Sequence, residues 1–256
     1  MPFKRIDIHA HVNFSDFAPD RDEVVRRALD SGTAFINVGT DIATSRESIA
    51  LAEAYPEGVY AIVGQHPADN VSEIFDPVAY RALLSHPKAV AIGECGLDYF
   101  HGEEAQIAKQ KGDFVAQIEL ANETNKPLML HVRDAYKDAL EILKSHARVK
   151  GDVHFFAGTI EEARSFLDIG YTLSFTGVIT FAKQYVELVE YVPLDMIQAE
   201  TDCPFVAPAG HRGKRNEPSY VSEVYEKIAR IKKLPIEEVE RSLVANAERL
   251  FGIDLS

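Results

Sequence analysis

The chain has 256 residues, 46% of them hydrophobic, and its formal net charge at pH 7 is −13. This length suits one large domain, because single α/β barrels commonly run to roughly 250 residues, and we predict one domain over residues 1–256. The negative charge argues against a protein that coats nucleic acid through a general positive field, although a nucleic-acid substrate could still be held locally.

Composition also bears on the cellular compartment. No apolar run approaches the roughly 20 residues that span a bilayer, and the first residues lack the pattern of a secretory signal. Cys95 and Cys203, the two cysteines, lie far apart in the sequence, which suits buried thiols in a reducing compartment rather than a disulfide framework. We therefore predict a cytoplasmic protein with no membrane association.

Eight short apolar runs recur along the chain and are interpreted as strands. Most are continuous rather than alternating, as expected where both faces of a parallel strand are covered. In chain order, the predicted strands span residues 5–11, 34–40, 59–66, 89–96, 127–133, 151–157, 171–178 and 196–202.

Helical patterns alternate with these strands, and several begin with Ser, Thr or Asp as a cap. They cover residues 20–32, 44–55, 105–124, 134–147 and 159–170, and two further helices are predicted after Pro218. Eight strand–helix alternations predict an α/β fold of the (β/α)8 TIM barrel type. The alternative is an open doubly wound sheet, but that fold usually has a glycine-rich turn after its first strand, where this chain has His-Ala-His.

His9 and His11 are the most informative pair, because side chains two apart on a strand point the same way. Both imidazoles can then reach one cation in the mouth of a barrel. Asp7 is expected on the same face as a supporting group. For the pair taken alone, two core histidines are an equally good interpretation.

Glu94 ends the fourth strand with Gly93 before it and Gly96 after it, so backbone and metal can approach closely. Its carboxylate could bridge two cations, because its two oxygens can serve different ions; the alternative is a buried acid paired with a basic residue. Asp98 is expected to order the following loop. At the end of the third strand, His66 could contact a substrate or phosphate oxygen.

His131 and His154 occupy equivalent positions at the ends of the fifth and sixth strands. A single histidine there is usually structural, but two that join a histidine pair from the first strand predict metal ligands. Arg133 follows His131 and could clamp a substrate anion or form a surface ion pair.

Asp202 ends the eighth strand, where a carboxylate can both ligate a cation and take a proton from the attacking water. Glu200 precedes it by two and is predicted to be a structural acid held by hydrogen bonds. Arg212 and Arg215 belong to the basic loop that follows, and arginine makes planar bidentate contacts with phosphate. The alternative for this loop is a solvated run of charges.

Seven motifs of the chain resemble those of the TatD-like metal-dependent deoxyribonucleases, a branch of the amidohydrolase-type barrels: DIHAH, GQHP, GECGLDY, LHVRDA, VHFFAG, ETDCP and HRGKRNEP. The resemblance runs from the first motif to the last, and the C-terminal helices also fit. It implies a (β/α)8 barrel, a divalent metal centre and hydrolysis of phosphodiester bonds in DNA. The ligands it implies are His9, His11, Glu94 and Asp202 around one ion, and Glu94, His131 and His154 around the other.

Three residues depart from the family pattern. Asn13 stands where an acidic residue is usual, and Phe155 and Ala157 replace the cysteine and serine of the motif on the sixth strand. None is a predicted ligand, so metal binding is expected to persist. These residues are expected to alter the lining of the pocket, which weakens any inference of the substrate from the family resemblance.

The predicted function is that of a metal-dependent hydrolase, a deoxyribonuclease that attacks single-stranded DNA from an end, such as the 3′ end. Two divalent cations (zinc, manganese or magnesium) would activate water, with Asp202 and Glu94 as the catalytic residues. The candidate phosphate contacts are His66, Arg133, Arg212 and Arg215. The alternatives are a hydrolase of small phosphoesters, esters or amides, and a barrel that binds metal and a partner but does little chemistry.

Overall fold

One sheet of parallel strands organises the fold. The structure, a computed structural model, describes residues 3–69, 72–102 and 104–256. The strands follow the chain order around the sheet and are β1 (Arg5–Ala10), β2 (Thr33–Val38), β3 (Val59–Val63), β4 (Ala89–Asp98), β5 (Leu128–Arg133), β6 (Gly151–Val153), β7 (Thr172–Phe175) and β8 (Ile197–Ala199). The helices are α1 (Arg21–Asp30), α2 (Ile42–Glu53), α3 (Pro77–Leu84), α4 (Glu104–Thr124), α5 (Tyr136–His146), α6 (Ile160–Asp168), α7 (Tyr185–Tyr191), α8 (Val221–Lys232) and α9 (Ile236–Phe251).

The sheet closes on itself where its first and last strands end. Ala10 bridges to Cys203, and the N–H of His11 donates to the carbonyl oxygen of Cys203 at 2.9 Å. One residue earlier, the N–H of Asp202 donates to the carbonyl oxygen of His9 at 2.9 Å. The prediction of a (β/α)8 TIM barrel is confirmed, and the strictly sequential strand order excludes the doubly wound alternative.

Two apolar layers hold the barrel together. Phe35 of β2 belongs to the layer that also contains Val24 of α1, between sheet and helices. Its neighbour Ile36 belongs to a second layer that reaches Phe251 of α9. Because alternate residues of a barrel strand face inside and outside, this second layer fills the interior.

Helix α9 covers the end of the barrel where the strands begin. Arg5, at the start of β1, pairs with Glu240 of this helix at 2.5 Å. The opposite end, at the carboxyl ends of the strands, is left for the polar side chains that the sequence places there.

Several predicted strands extend too far. The predicted strands 59–66, 151–157, 171–178 and 196–202 end in the structure at residues 63, 153, 175 and 199. The chain leaves the ladder at these points: Phe155 and Asp202 have φ angles of 45° and 56°, outside the extended region. Strand ends are therefore where the backbone turns to present side chains at the barrel mouth.

The predicted helices are confirmed to within a few residues, and α3 and α7 are additions to them. The start of α3 could have been recognised in the sequence from its N-terminal cap. The Asp76 carboxylate accepts the N–H groups of Val78 and Ala79, with Pro77 at the first helical position.

None of the helices in the described ranges is long and apolar enough to cross a membrane. All eight strands belong to one sheet, and α9 packs against both β1 and β8. This continuity supports a single domain over residues 1–256, which stays a prediction.

Strand β4 approaches its neighbour closely around Glu94. Its register against β5 shifts between Ile92 and Cys95. A Cβ on Gly93 would lie 2.5 Å from the carbonyl oxygen of Met129, and one on Gly96 would lie 2.1 Å from that of His131. The glycines expected to permit close approach do so, and no other residue fits at Gly96, whose φ is 143°.

We expect Gly96→Ala to lower the free energy of unfolding by at least about 1–3 kcal/mol, because the added methyl group must displace the β5 backbone. Gly112→Ala, in open space within α4, is the matched control and should raise that free energy by about 0.5–1 kcal/mol. Urea unfolding followed by circular dichroism measures both. Equal stability of Gly96→Ala and wild type would contradict the close packing of β4 on β5.

Candidate metal centre

One buried carboxylate, Glu94, lies between two groups of histidines at the mouth of the barrel. Its Oε1 atom is 2.8 Å from Nδ1 of His131 and 2.9 Å from Nε2 of His154. Its Oε2 atom is 3.3 Å from Nε2 of His9 and 3.8 Å from Nε2 of His11. Each oxygen faces a different histidine group, which is the arrangement of a carboxylate that can bridge two cations.

Asp202 joins the group around Oε2 of Glu94. Its Oδ1 atom is 3.6 Å from Nε2 of His11 and 3.8 Å from Nε2 of His9, and the two imidazole nitrogens are 3.1 Å apart. Ligand atoms at bonds of about 2.0–2.1 Å in a tetrahedral shell stand roughly 3.3 Å from one another. The observed separations therefore fit a single divalent cation.

Most of the imidazoles have an acceptor for their second ring nitrogen. Nδ1 of His11 lies 3.0 Å from the carbonyl oxygen of Val38, and Nδ1 of His154 lies 3.2 Å from a carboxylate oxygen of Glu200. A proton held on Nδ1 leaves the lone pair of Nε2 free for a cation. Nδ1 of His9 is the exception, because it is buried and has no partner within the described ranges.

Asp98 orients the remaining histidine. Its Oδ2 atom is 3.0 Å from Nε2 of His131, so that Nδ1 of the same ring faces Glu94. Its Oδ1 atom accepts the N–H of His101 at 2.8 Å, which agrees with the expected role in ordering the loop. Sequence reasoning missed the contact with His131, although Asp98 ends the same strand that carries Glu94.

Glu200 has the structural role that the sequence predicts. It accepts the N–H of Phe155 at 2.8 Å and the hydroxyl of Ser174 at 2.8 Å. Both contacts leave it beside His154, so this acid links β7 and the end of β6 to a metal-facing ring.

The expectation for Asp7 was wrong. Strand β1 is irregular between Asp7 and Ala10, where its register against β2 shifts, so the simple alternation of side chains fails. The Asp7 carboxylate accepts the backbone N–H of Thr201 at 2.9 Å and also the Thr201 hydroxyl. It also accepts the backbone N–H of His9 at 3.2 Å, so it supports the backbone of β1 and of the chain leading to Asp202, and not the imidazoles.

The two acids at the centre are ionised at neutral pH. Burial alone would raise the pKa of the Glu94 carboxyl, but the imidazoles of His154 and His66 help to hold that pKa well below its ordinary value. Burial also opposes ionisation of Asp202, but a hydrogen bond with His11 and the nearby imidazoles of His154 and His9 together outweigh it, so that its pKa is lowered as well.

Protons compete with cations for this ligand set. Burial would lower the pKa of His154, but Glu94 and Glu200 raise it well above its ordinary value. Burial and the neighbouring His154 lower the pKa of His9, whose ring stacks on that of His154 at 3.9 Å. A cation must therefore displace a proton from this pair.

His66 also reaches Glu94, with Nε2 at 3.7 Å from Oε1. Its Nδ1 accepts the backbone N–H groups of Ala68 at 3.2 Å and Asp69 at 3.1 Å. Oδ1 of Asp69 stands 3.3 Å from the same nitrogen, but both N–H bonds point at Nδ1, so Nδ1 is the nitrogen without a proton. Nε2 then carries the hydrogen, which suits a donor to a substrate oxygen and not a metal ligand.

The structure brings all six predicted metal ligands together. Each of the six belongs to at least one of three overlapping trios whose ligand atoms lie within 4.8 Å of one another: His9, His154 and Asp202; His9, His11 and Glu94; and His66, Glu94 and His131. The third trio also includes His66, which was not among the predicted ligands. These trios do not separate in the way that the resemblance implies, since His154 groups with His9. How the ligands divide between ions therefore stays a prediction.

The centre opens into a cavity of about 890 Å³ with aromatic walls. The aromatic lining residues, apart from histidines, are Phe14, Tyr136, Phe155, Tyr185 and Phe205. Arg133 is the one lysine or arginine among the described residues that line it.

The basic loop after Asp202 does not reach this cavity. Arg215 makes a bidentate ion pair with Asp20, at 2.8 and 2.7 Å. Arg212 stacks over the ring of Phe181 at 4.4 Å and donates to the carbonyl oxygen of Ala207. Both guanidinium groups are engaged elsewhere, so the structure does not place them as phosphate contacts.

Two of the three departures from the family pattern alter the cavity as expected. Phe155 and Ala157 line it. Asn13 does not; its side chain accepts from Asn37 at 2.8 Å and donates to the carbonyl oxygen of Thr44 at 3.3 Å. The expectation that Asn13 changes the lining was wrong, because this side chain ties the loop after β1 to β2 and to the first turn of α2.

Comparison with known proteins agrees with this architecture. A family model described as TatD related DNase matches residues 6–252. The chain is 41% identical to an uncharacterised metal-dependent hydrolase, YabD, of Bacillus subtilis strain 168, over 97% of this chain and 99% of the relative. It is 35% identical to the 3′-5′ ssDNA/RNA exonuclease TatD of Erwinia billingiae, over 96% and 98%. The crystal structure of the TatD homologue YjjV of Escherichia coli K12 superposes with a TM-score of 0.91, at 29% identity and 99% and 100% coverage.

We expect Glu94→Gln to weaken the binding of both cations by at least about 10–100-fold, the range seen even for groups one contact away from a metal. Elemental analysis of the gel-filtered, metal-loaded protein and calorimetric titration with zinc or manganese measure this. Glu123→Gln is the matched control, because that exposed acid pairs with Arg81 on the surface. Full occupancy in Glu94→Gln would contradict a shared carboxylate.

Proposed function

This chain belongs to the family of TatD-related DNases and is a metal-dependent hydrolase, and we propose that it cleaves phosphodiester bonds at an end of single-stranded DNA. The observation that carries the proposal is the position of the Glu94 carboxylate, whose two oxygens face different histidine groups. Such a carboxylate suits two divalent cations that act on one phosphate.

The donor set favours transition metals for at least one of these ions. Imidazole with carboxylate suits zinc or manganese, whereas magnesium prefers oxygen ligands. In the proposed arrangement His9, His11 and Asp202 hold one ion, His131 and His154 hold the other, and Glu94 is shared. The separations around Oε2 of Glu94, between 3.1 and 3.8 Å, support this assignment.

The protein's own groups position the reactants and move the proton. Bound cations would lower the pKa of the attacking water and stabilise negative charge on the phosphate and leaving oxygens. Asp202 is ionised, faces His11 and accepts the proton that the water loses, as a general base. His66 donates from Nε2 to a phosphate oxygen, and Arg133 supplies positive charge from the cavity wall.

The aromatic wall supports a nucleic-acid substrate. Phe205 lines the cavity, yet its side chain is 52% exposed and stands 6.5 Å from the rings of His11 and Phe14. An exposed ring beside a phosphate-binding centre suits stacking of an unpaired base. The Erwinia billingiae relative is named as an exonuclease for single-stranded DNA and RNA from the 3′ end, which supports the same polarity here.

A second candidate is hydrolysis of a small phosphoester, ester or amide. Two observations favour it: Arg212 and Arg215 of the basic loop are engaged outside the cavity, and the net charge of the chain is −13. Metal-loaded protein should be assayed on oligonucleotides beside a panel of small esters and amides. A higher kcat/KM for any small substrate than for oligonucleotides would favour this candidate.

The cellular location of the protein stays a prediction, and we propose the cytoplasm. Cys95 and Cys203 are both buried and free of disulfide bonds, which suits a reducing compartment.

We expect Asp202→Asn to lower kcat on a single-stranded oligonucleotide by about 10²–10⁴-fold, the contribution of a general base. Asp134→Asn, which removes an exposed carboxylate from the same cavity but from neither histidine group, is the control and should change kcat little. Metal content must be measured for both variants, because Asp202 is also a proposed ligand. Cleavage by Asp202→Asn at the wild-type rate would refute the mechanism.

We expect Phe205→Ala to raise KM for single-stranded oligonucleotides by roughly 5- to 150-fold, since base stacking contributes about 1–3 kcal/mol. Hydrolysis of bis(4-nitrophenyl) phosphate, which carries no nucleobase, should be unchanged, and Phe205→Tyr should retain the wild-type KM. Phe181→Ala is the matched control, because that ring is 43% exposed but lies outside the cavity. An unchanged KM in Phe205→Ala would remove the ring from substrate binding.

A further inference from the structure

A cluster of three side chains stands at the rim of the cavity, where β4 and β5 end. Phe100 and His101 follow β4, and Arg133 is the last residue of β5. The guanidinium carbon of Arg133 lies 4.1 Å from the centre of the Phe100 ring, and the His101 ring meets the same aromatic ring edge to face at 4.8 Å. One aromatic ring therefore positions two nitrogen-bearing side chains side by side.

The orientation of His101 is fixed by a buried acid. Asp98 accepts the backbone N–H of His101 at 2.8 Å through Oδ1 and its Nδ1 at 2.8 Å through Oδ2. Asp98 therefore fixes the ring of His101, whose side chain is 54% exposed, in its contact with Phe100. His101 lines the cavity beside Arg133.

The same acid ties the rim to the metal centre. Oδ2 of Asp98 also lies 3.0 Å from Nε2 of His131, whose Nδ1 faces Glu94 at 2.8 Å. One imidazole ring and one carboxylate therefore separate Glu94 from His101. The rim cluster therefore stands next to the candidate metal centre, but none of its side chains belongs to the proposed ligand set.

The charge of Arg133 is not compensated by the protein. No carboxylate lies within 4.0 Å of its guanidinium in the side chains that the structure describes, although Asp69, Asp98 and Asp134 share the cavity wall. Other arginines of the chain are paired, as Arg215 is with Asp20 and Arg27 is with Glu217. An exposed guanidinium, fixed by a ring and left without a partner, is suited to an anion from the substrate.

We propose that Arg133 binds the phosphate next to the scissile one, with Phe100 as the positioning residue that holds its guanidinium at the rim. This inference rests on the proposed phosphodiesterase and names its substrate class: an oligonucleotide with at least two phosphates, rather than an isolated phosphoester. Arg133 contacts the flanking phosphate with its planar donors.

The test compares trinucleotides that differ at one linkage. In one the phosphate flanking the scissile bond is native, and in the other it is a neutral methylphosphonate, placed in turn on the 3′ and the 5′ side. Wild type should show a kcat/KM about 10- to 100-fold higher for the charged trinucleotide on one of the two sides, carried by KM. Absence of any preference on either side would overturn the proposal.

The variants assign the preference to residues. Arg133→Gln should abolish it and Arg133→Lys should restore part of it, and in both variants kcat/KM should fall more for the charged trinucleotide than for a dinucleoside monophosphate. Arg230→Gln, at an exposed arginine of α8, is the matched control for loss of one positive charge and should keep the preference. Equal loss of activity on all substrates in Arg133→Gln would instead place that residue at the scissile phosphate and overturn the proposal.

Binding separates this inference from the proposed catalysis. Fluorescence anisotropy with a labelled trinucleotide, in calcium to suppress turnover, gives Kd as a function of salt. Removing Arg133 should lower the slope of log K against log salt by about 0.7, the value for one contact to a single strand. If metal-loaded wild type cleaves no phosphodiester but the slope still falls on removal of Arg133, the proposed function fails and the subsite stands. If the slope does not change on removal of Arg133, the subsite alone is overturned.

Discussion

The centre depends on one constraint, the burial of the Glu94 carboxylate in a site where its charge must be matched from both sides. An ionised carboxylate that is 4% exposed is strongly disfavoured unless charge-bearing groups surround it. Imidazoles from β1 and β5 and from the end of β6 supply that surrounding, and each oxygen takes its own set. The strands must therefore end at matching heights around the barrel. Glycines let the strand that carries Glu94 approach its neighbour closely enough for this, and the carbonyl of Val38 and the acids Asp98 and Glu200 hold the imidazoles in the orientation that the carboxylate requires.

Most of the fold and the set of side chains that meet at the barrel mouth could be predicted from the sequence, because both depend on local patterns. A continuous apolar run indicates a strand covered on both faces, and a histidine or acid at its downstream end is placed at the barrel mouth by the fold itself. The orientation of individual side chains could not be predicted in this way. Register shifts in β1 and β4 break the two-residue alternation, and they depend on contacts with the neighbouring strand. Asp7 was misassigned for this reason, and Asp98 was underrated because its contact with His131 joins residues 33 positions apart.

Charge runs were the least reliable guide, because the partner of a charged side chain can be anywhere in the sequence. Arg215 lies near Asp202 along the chain, yet it pairs with Asp20, 195 residues away. Arg133 lies in no basic run, yet among the described residues it is the one arginine or lysine that lines the cavity. The two arginines differ in their neighbours. Asp20, the residue before α1, brings a carboxylate to Arg215 of the basic loop, whereas the end of β4 brings the aromatic ring of Phe100 to Arg133. Proximity in sequence to a catalytic acid is therefore weak evidence for a phosphate contact unless the opposing charges are known.

The acidic composition and the proposed anionic substrate are reconciled by the same centre. Glu94 and Asp202 are held ionised, and Glu200 stands directly behind His154, so negative charge accumulates at the barrel mouth. Glu94 and Glu200 raise the pKa of His154. Without cations, a proton on this imidazole therefore balances part of the negative charge. Protons are fully in place below that raised pKa and are lost as pH rises through it, so metal affinity must increase in the same direction. A protein built in this way takes the positive charge for phosphate binding from its metal ions. It then needs few surface cations. A chain with a net charge of −13 can therefore act on a nucleic acid through a short contact at the strand end, whereas it would repel a long duplex, whose binding depends on its backbone charge.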